Sequence, residues 1–140
     1  MPKSTTTCYN LLKLIFNAVA WDNLADNAAA APLTNLYLSL HSSDPGIGNA
    51  QTTNEVAFTN YVRIPVARTV GGWTVATNTA VNAALAQFAQ CGVTGASATH
   101  VAVGTAVSGA GNVLYAGALS ATLTIANLIQ PQFNASALVV

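Results

Sequence analysis

Between residues 69 and 140 the chain has no Asp, Glu, Lys or Arg, and over all 140 residues these side chains make up 6% and cancel to a net charge of zero. An ordinary soluble domain devotes roughly a quarter of its residues to charge, and charge of one sign keeps free proteins apart in solution. A chain this neutral is expected to work packed against other surfaces. The same scarcity excludes whole classes of function. Nucleic-acid binding needs several clustered cations for the phosphates. Here only Arg63 and Arg68 are near each other, and a solvated strand edge is the expected setting of both. An enzyme needs a pocket holding convergent titratable groups, so no catalytic activity is expected.

Cysteine is scarce too. Cys8 and Cys91 cannot staple a disulfide framework and are expected as reduced thiols in small apolar niches. With only His41 and His100 and four carboxylates, no metal site and no cofactor are expected. No apolar run reaches the roughly 18 residues of a membrane-spanning helix, so no membrane partner is expected. Residues 11–20, behind Lys3, imitate a secretion signal that ends in Ala18-Val19-Ala20, but Asn10, Lys13 and Asn17 interrupt it. Without such a signal the glycosylation-type triplet Asn134-Ala135-Ser136 carries little weight.

What remains is apolar and neutral-polar. Apolar residues make up 52% of the chain, much of that Ala and Val, with Thr, Asn, Ser and Gln between them. Leu11, Leu12, Ile15, Phe16 and Val19 form one stripe of a helix, predicted over 6–20, with Ser4 or one of Thr5 to Thr7 as its cap. After Pro32 the period changes to two. Leu36, Leu38 and Leu40 alternate with Tyr37 and Ser39, as in a strand with one buried face. Further alternation recurs at 62–66, with Pro65 marking an edge or bulge, and at 73–77, 81–85, 99–103, 113–116, 123–125 and 133–139. About eight short strands with turns every 8 to 12 residues predict a mainly-β antiparallel sandwich or jelly roll carrying an N-terminal α-helix. Residues 1–31 form the helical segment and 32–140 the β-sandwich domain, together one structural unit.

Motifs that suggest chemistry have plainer readings. His41-Ser42-Ser43-Asp44 holds every residue type of a hydrolase triad, yet adjacent side chains cannot line up as orienter, base and nucleophile; Asp44, before Pro45, is expected to cap a turn. Gly46-Ile47-Gly48 and Gly109-Ala110-Gly111 do not precede a helix, so they read as turns and not as phosphate cradles. His100, in a predicted strand, is expected at a sheet surface or subunit contact. No catalytic, cofactor-binding or metal-binding residue is assigned. Two ends stay open: Leu138-Val139-Val140 either closes its own sheet or is capped by a neighbouring chain, and the helix stripe covers its own sandwich or meets a partner.

Four segments resemble a family of small phage structural proteins labelled variously tail-fibre-like and capsid cement, or decoration, proteins. They are Leu36-Tyr37-Leu38-Ser39-Leu40-His41-Ser42-Ser43-Asp44-Pro45-Gly46, residues 55–63, Ala98-Thr99-His100-Val101-Ala102-Val103-Gly104, and residues 111–119. In size, helix and charge-poor body the chain is most similar to the cement proteins of short-tailed Bordetella phages. The resemblance implies a jelly-roll homodimer on the outer capsid surface of the virion, bridging neighbouring major capsid subunits. The rival expectation is a receptor-binding, carbohydrate-binding module of a tail fibre, with Trp21, Trp73, Tyr37 and Tyr61 as its candidate aromatics.

Overall fold

The computed structural model describes residues 4–21 and 32–140. Ser4 opens α1 (Thr5–Asn17): its hydroxyl accepts the Thr7 N–H at 3.1 Å, satisfying one of the donors that a helix start leaves over. Ala18, in the left-handed conformation, ends the helix and returns its N–H to the Lys13 carbonyl. The helix is three residues shorter at its C-terminus than the 6–20 stripe predicts, because this cap stops it before Val19.

Eight strands follow in the described chain: β1 (Asn35–His41), β2 (Ile64–Ala67), β3 (Trp73–Ala76), β4 (Thr79–Asn82), β5 (Ala86–Gln87), β6 (Ala96–Gly104), β7 (Val113–Ile125) and β8 (Gln132–Phe133). They make a four-stranded sheet in the order β2-β1-β6-β7 and two pairs, β3-β4 and β5-β8. The registered pairs are antiparallel and no barrel closes among the described residues. The mainly-β, sandwich-class fold with one N-terminal helix is therefore as expected.

The chain divides into two compact units. One comprises the described residues of Met1–Asn35, Val66–Ala86 and Phe133–Val140; the other comprises Leu36–Pro65 and Gln87–Gln132.

In the first unit the helix stripe packs in cis. Phe16 and Trp73 are fully buried, their rings 4.6 Å apart and tilted, and Asn17 Nδ2 donates to the Trp73 carbonyl at 2.9 Å. Two aromatics meeting from elements more than fifty residues apart anchor α1 on the β3-β4 hairpin. The chain end also docks in cis. Ala80 and Val140 exchange both backbone hydrogen bonds at 2.9 Å, and Val81 bridges Val139. Leu138 is buried and its N–H reaches Asn82 Oδ1 at 2.9 Å. Asn82 in turn donates to the carbonyls of Ala84 and Asn134, so one buried amide ties the terminal segment to β4. The predicted strand over 133–139 thus reduces to the two residues of β8 and this bridge.

In the second unit Leu36, Leu38 and Leu40 are buried, and so are Ser39 and His41. The alternation reveals only one covered face of β1; the far end is covered on both. β6 pairs with β1 from Tyr37↔Gly104 to His41↔His100. On its other side β6 pairs with β7, which runs unbroken through the two strands predicted at 113–116 and 123–125. The register passes from Ala98↔Leu123 to His100↔Ala118, so four residues of β7, 119–122, oppose Thr99 alone as an enlarged, irregular bulge.

Candidate functional site

Neither arginine stands solvated on a strand edge. Arg63 is 5% exposed. Its Nε and Nη2 donate to Glu55 Oε1 and Oε2, each at 2.7 Å, in a bidentate pair. Its remaining donors turn to backbone: Nη1 to the Ala106 carbonyl at 2.9 Å and Nη2 to that of Gly109 at 2.8 Å. Hydrogen bonding to Glu55 raises the Arg63 pKa further above its usual value. The expectation that Arg63 guards an edge is therefore corrected. A guanidinium can be buried once every donor finds an acceptor, and the acceptors come from residues 43 and 46 positions away that periodicity does not reveal.

Tyr61 and His41 complete this cluster. The Tyr61 hydroxyl donates to Glu55 Oε1 at 2.8 Å and accepts the Leu40 N–H at 3.1 Å. Burial, first, and the neighbouring carboxylate push its pKa above the usual tyrosine range. His41 is fully buried. Its Nδ1 lies 2.9 Å from the Thr53 carbonyl, which can only accept, so Nδ1 carries the proton and Nε2, 2.9 Å from Ser39 Oγ, accepts. Desolvation by burial holds the His41 pKa below 6.5, against the opposing Thr53 hydrogen bond and the Glu55 charge, with Arg63 and His100 adding to the lowering.

His41 therefore does not partner Ser42, Ser43 or Asp44. Ser42 Oγ donates to the Asn54 carbonyl at 3.2 Å, and Asp44 Oδ1 accepts the Gly46 N–H at 2.9 Å, the turn cap expected of it. His100 sits directly across from His41 on β6, with Nδ1 2.9 Å from Thr99 Oγ1. The two histidines of the chain are cross-strand neighbours, which residue spacing alone does not show.

Arg68 too is misplaced by the sequence reading. Its Nε and Nη2 reach the carbonyls of Ile15 and Leu14 at 2.6 and 2.7 Å, and Nη1 the carbonyl of Leu33 at 2.6 Å. The last turn of α1 holds no basic residue of its own, so a guanidinium from far along the chain satisfies carbonyls that the helix end leaves over and opposes the negative end of its dipole. Desolvation lowers the Arg68 pKa. Lys13 lies over the Tyr9 ring, 5.3 Å from its centroid. Each charged side chain in the described residues (Lys13, Asp44, Glu55, Arg63 and Arg68) is thus engaged inside its own unit.

The cluster holds two loops. Gln51 is fully buried; its Oε1 accepts the Ala106 N–H at 2.8 Å and its backbone N–H donates to the Ala110 carbonyl at 2.6 Å. Gly104 and Gly111 lie against its side chain, where a Cβ would collide. Gly48 N–H donates to the Val113 carbonyl, and Val113 N–H to the Asn49 carbonyl, both at 2.9 Å. Residues 42–51 and 105–112 are therefore bonded side by side.

Neither cysteine is bridged; Cys91 is buried and Cys8 half-buried. Among the described residues no three His, Cys, Asp or Glu side chains come together in a metal-binding group, and no helix is long and apolar enough to cross a membrane. Of the candidate sugar-binding aromatics, Trp73 is buried under Phe16 and Tyr61 is engaged with Glu55, while Trp21 and Tyr37 are half-buried.

A small mainly-β body, one helix held in cis and charges engaged within the fold suit a structural protein. The comparison with protein families agrees and narrows the class. Residues 5–140 match the family described as podophage GP4 fiber I protein gp80, and the chain belongs to that family. That makes it a phage structural protein. No curated protein matches the chain.

Proposed function

We propose that this protein is a non-enzymatic building block of the phage particle that docks on neighbouring virion proteins through uncharged surface. The observation that carries this reading is that the described charges, already few, are used internally: Glu55 on Arg63, Arg68 on helix carbonyls, Asp44 on its own turn. What faces outward is mostly Thr, Asn, Ser, Ala and Val, with a few Leu and Ile and the single carboxylate of Asp44 among the described residues; the neutral groups hydrogen-bond and pack without a large desolvation cost. Such an interface gains mainly from buried area, about 25 cal/mol per Å² gross, less the cost of ordering. It is also nearly insensitive to salt.

Family membership favours a place in the fibre, as a structural segment. With Trp73 and Tyr61 turned inward, the reading does not rest on an aromatic platform for sugars. A second reading, favoured by the segment resemblance and by the charge-poor body, is a clamp on the outer capsid that bridges major capsid subunits. Self-association into a homodimer belongs to that second reading, and a monomer mass by light scattering at particle-building concentrations would remove it. Nucleic acid and membrane are not proposed as partners.

Counting copies on purified virions separates the two places. Hundreds of copies per particle indicate the shell, tens or fewer the fibre. Absence from purified particles would end both.

A further inference from the structure

Both histidines of this chain meet in one row across the sheet. His41 on β1 stands opposite His100 on β6, and on its other side it bridges Glu55. Ser39 and His41 are fully buried and His100 is half-buried. Such a row stands out in a chain with so few titratable side chains.

The hydrogen bonds around the row fix where its protons sit. His41 carries its proton on Nδ1, against the Thr53 carbonyl, and takes the Ser39 hydroxyl proton at Nε2, both at 2.9 Å. Thr99 Oγ1 gives its own proton to the Ser42 carbonyl at 2.8 Å. Across the 2.9 Å to His100 Nδ1 it must therefore accept, which makes Nε2 the basic nitrogen of His100. Ser42 closes the circle: its N–H and Oγ both donate to the Asn54 carbonyl, at 2.8 and 3.2 Å. Residues 52–54 thus lie on the row through the carbonyls of Thr53 and Asn54. Anchored residues flank them: Gln51 on the Ala106 N–H and the Ala110 carbonyl, Glu55 on Arg63 and Tyr61.

A second proton on the His41 ring fits this arrangement badly. Nε2 would turn from acceptor to donor, and the Ser39 hydroxyl proton would lose its acceptor in a fully buried place. The new cation would face His100 across the strand pair, with the Arg63 charge also opposing it. Glu55, the carboxylate of the row, is already held by Arg63 and Tyr61. The Tyr61 hydroxyl, its pKa raised first by burial, adds no charge. Burial and the two cations outweigh the Thr53 hydrogen bond and Glu55, so the neutral ring is favoured. Water is what remains to stabilise a charged ring, and the ring meets it when the residues laid over it lift.

We infer that this row is an acid-operated latch, in which a proton taken up at His41 Nε2 releases residues 52–54 from β1 and a charge on His100 resists that uptake. The latch belongs to the folded chain itself and does not depend on where in the particle the protein sits. Its opening is local, because Gln51 and Glu55 stay fixed on either side. The lifted population grows by at most about tenfold per pH unit below about pH 6.5, the limit for one proton.

Hydrogen exchange of the free protein by NMR, expressed as protection factors to remove the intrinsic effect of pH, tests this from pH 7.5 to pH 5. Protection of the Ser42 and Thr53 N–H groups is expected to fall by up to about tenfold per pH unit below about pH 6.5. The Val56 and Val113 N–H groups, bonded to the Leu40 and Asn49 carbonyls at 2.9 Å, keep theirs. In His41→Gln the fall disappears. In His100→Gln it levels off at a higher pH, because His41 then takes its proton in place more readily; a profile identical to wild type would remove His100 from the latch. The wild-type His41 ring resonance needs no variant and should titrate below pH 6.5. Unchanged protection at Ser42 and Thr53, an equal fall at Val56 and Val113, a fall that persists in His41→Gln, or a His41 ring that titrates at or above pH 6.5 each overturns the latch. None of these outcomes touches the virion reading.

Discussion

Arg63 is a cation enclosed by acceptors, so its removal leaves more than a missing contact. Glu55 would stay largely buried without its partner, and the Ala106 and Gly109 carbonyls would lose their donor. Breaking one side of a buried pair costs about 3–5 kcal/mol, and Arg63→Met is expected to lower unfolding free energy by that order in urea titration. Removing Glu55 as well, as E55L/R63M, should cost less than the sum of the two single changes. A strictly additive double variant would show that the pair is not coupled.

His41 sets a different dependence at the same scale. Its pKa is held below 6.5 by burial, so the unfolded chain takes up a proton more readily than the folded one. The stability this contributes is fully present above about pH 6.5 and falls as pH drops below it, by at most about 1.4 kcal/mol per pH unit for one proton. Urea midpoints measured from pH 8 to pH 5 should decline in the acid half of that range. In His41→Gln the decline should flatten, whatever the variant's stability at pH 8.

At the scale of the element, α1 depends on a residue outside it. Arg68→Gln removes the guanidinium from the Leu14, Ile15 and Leu33 carbonyls and is expected to cost about 1.5–3 kcal/mol, the range for hydrogen bonds to a charged group. Amide exchange should quicken first in the last turn of the helix. Uniform quickening across β1 and β6 would contradict this account of the cap. Phe16→Ala, which empties the contact with Trp73, should cost about 3–5 kcal/mol by thermal or urea unfolding.

These elements also show where sequence reasoning reaches. The stripe from Leu11 to Val19 and the alternation of Leu36, Leu38 and Leu40 announce α1 and β1 because both arise from chemistry repeated along a few turns or pleats. The burial of Ser39 and His41 is not legible there, since it depends on what other segments lay across them. Arg63 and Arg68 are misread for the same reason: a guanidinium looks like a surface residue until its acceptors are known, and carbonyls of other segments carry no signature in residue type. Of the candidate site, the glycine turns at 46–48 and 109–111 are visible in the sequence, but their side-by-side placement through Gln51 is not.

For the whole molecule, the relevant quantity is how weakly association should respond to salt. An interface without free charge has little to screen, so release of the protein from purified particles should barely change between low and near-molar sodium chloride. Steep release with rising salt would mean that charges on this chain or its partner carry the contact, against the reading offered here. Cooling, which weakens apolar association, should loosen it more than salt does.

Neither compact unit is a single stretch of chain. The first is assembled from an opening, a middle and a closing segment, with the second threaded between them. A ribosome therefore delivers the helix some fifty residues before the guanidinium that secures its end. Synthesis and maturation must consequently fall out of step: neither part is finished in the order in which it is translated, since each needs segments made after the other has begun.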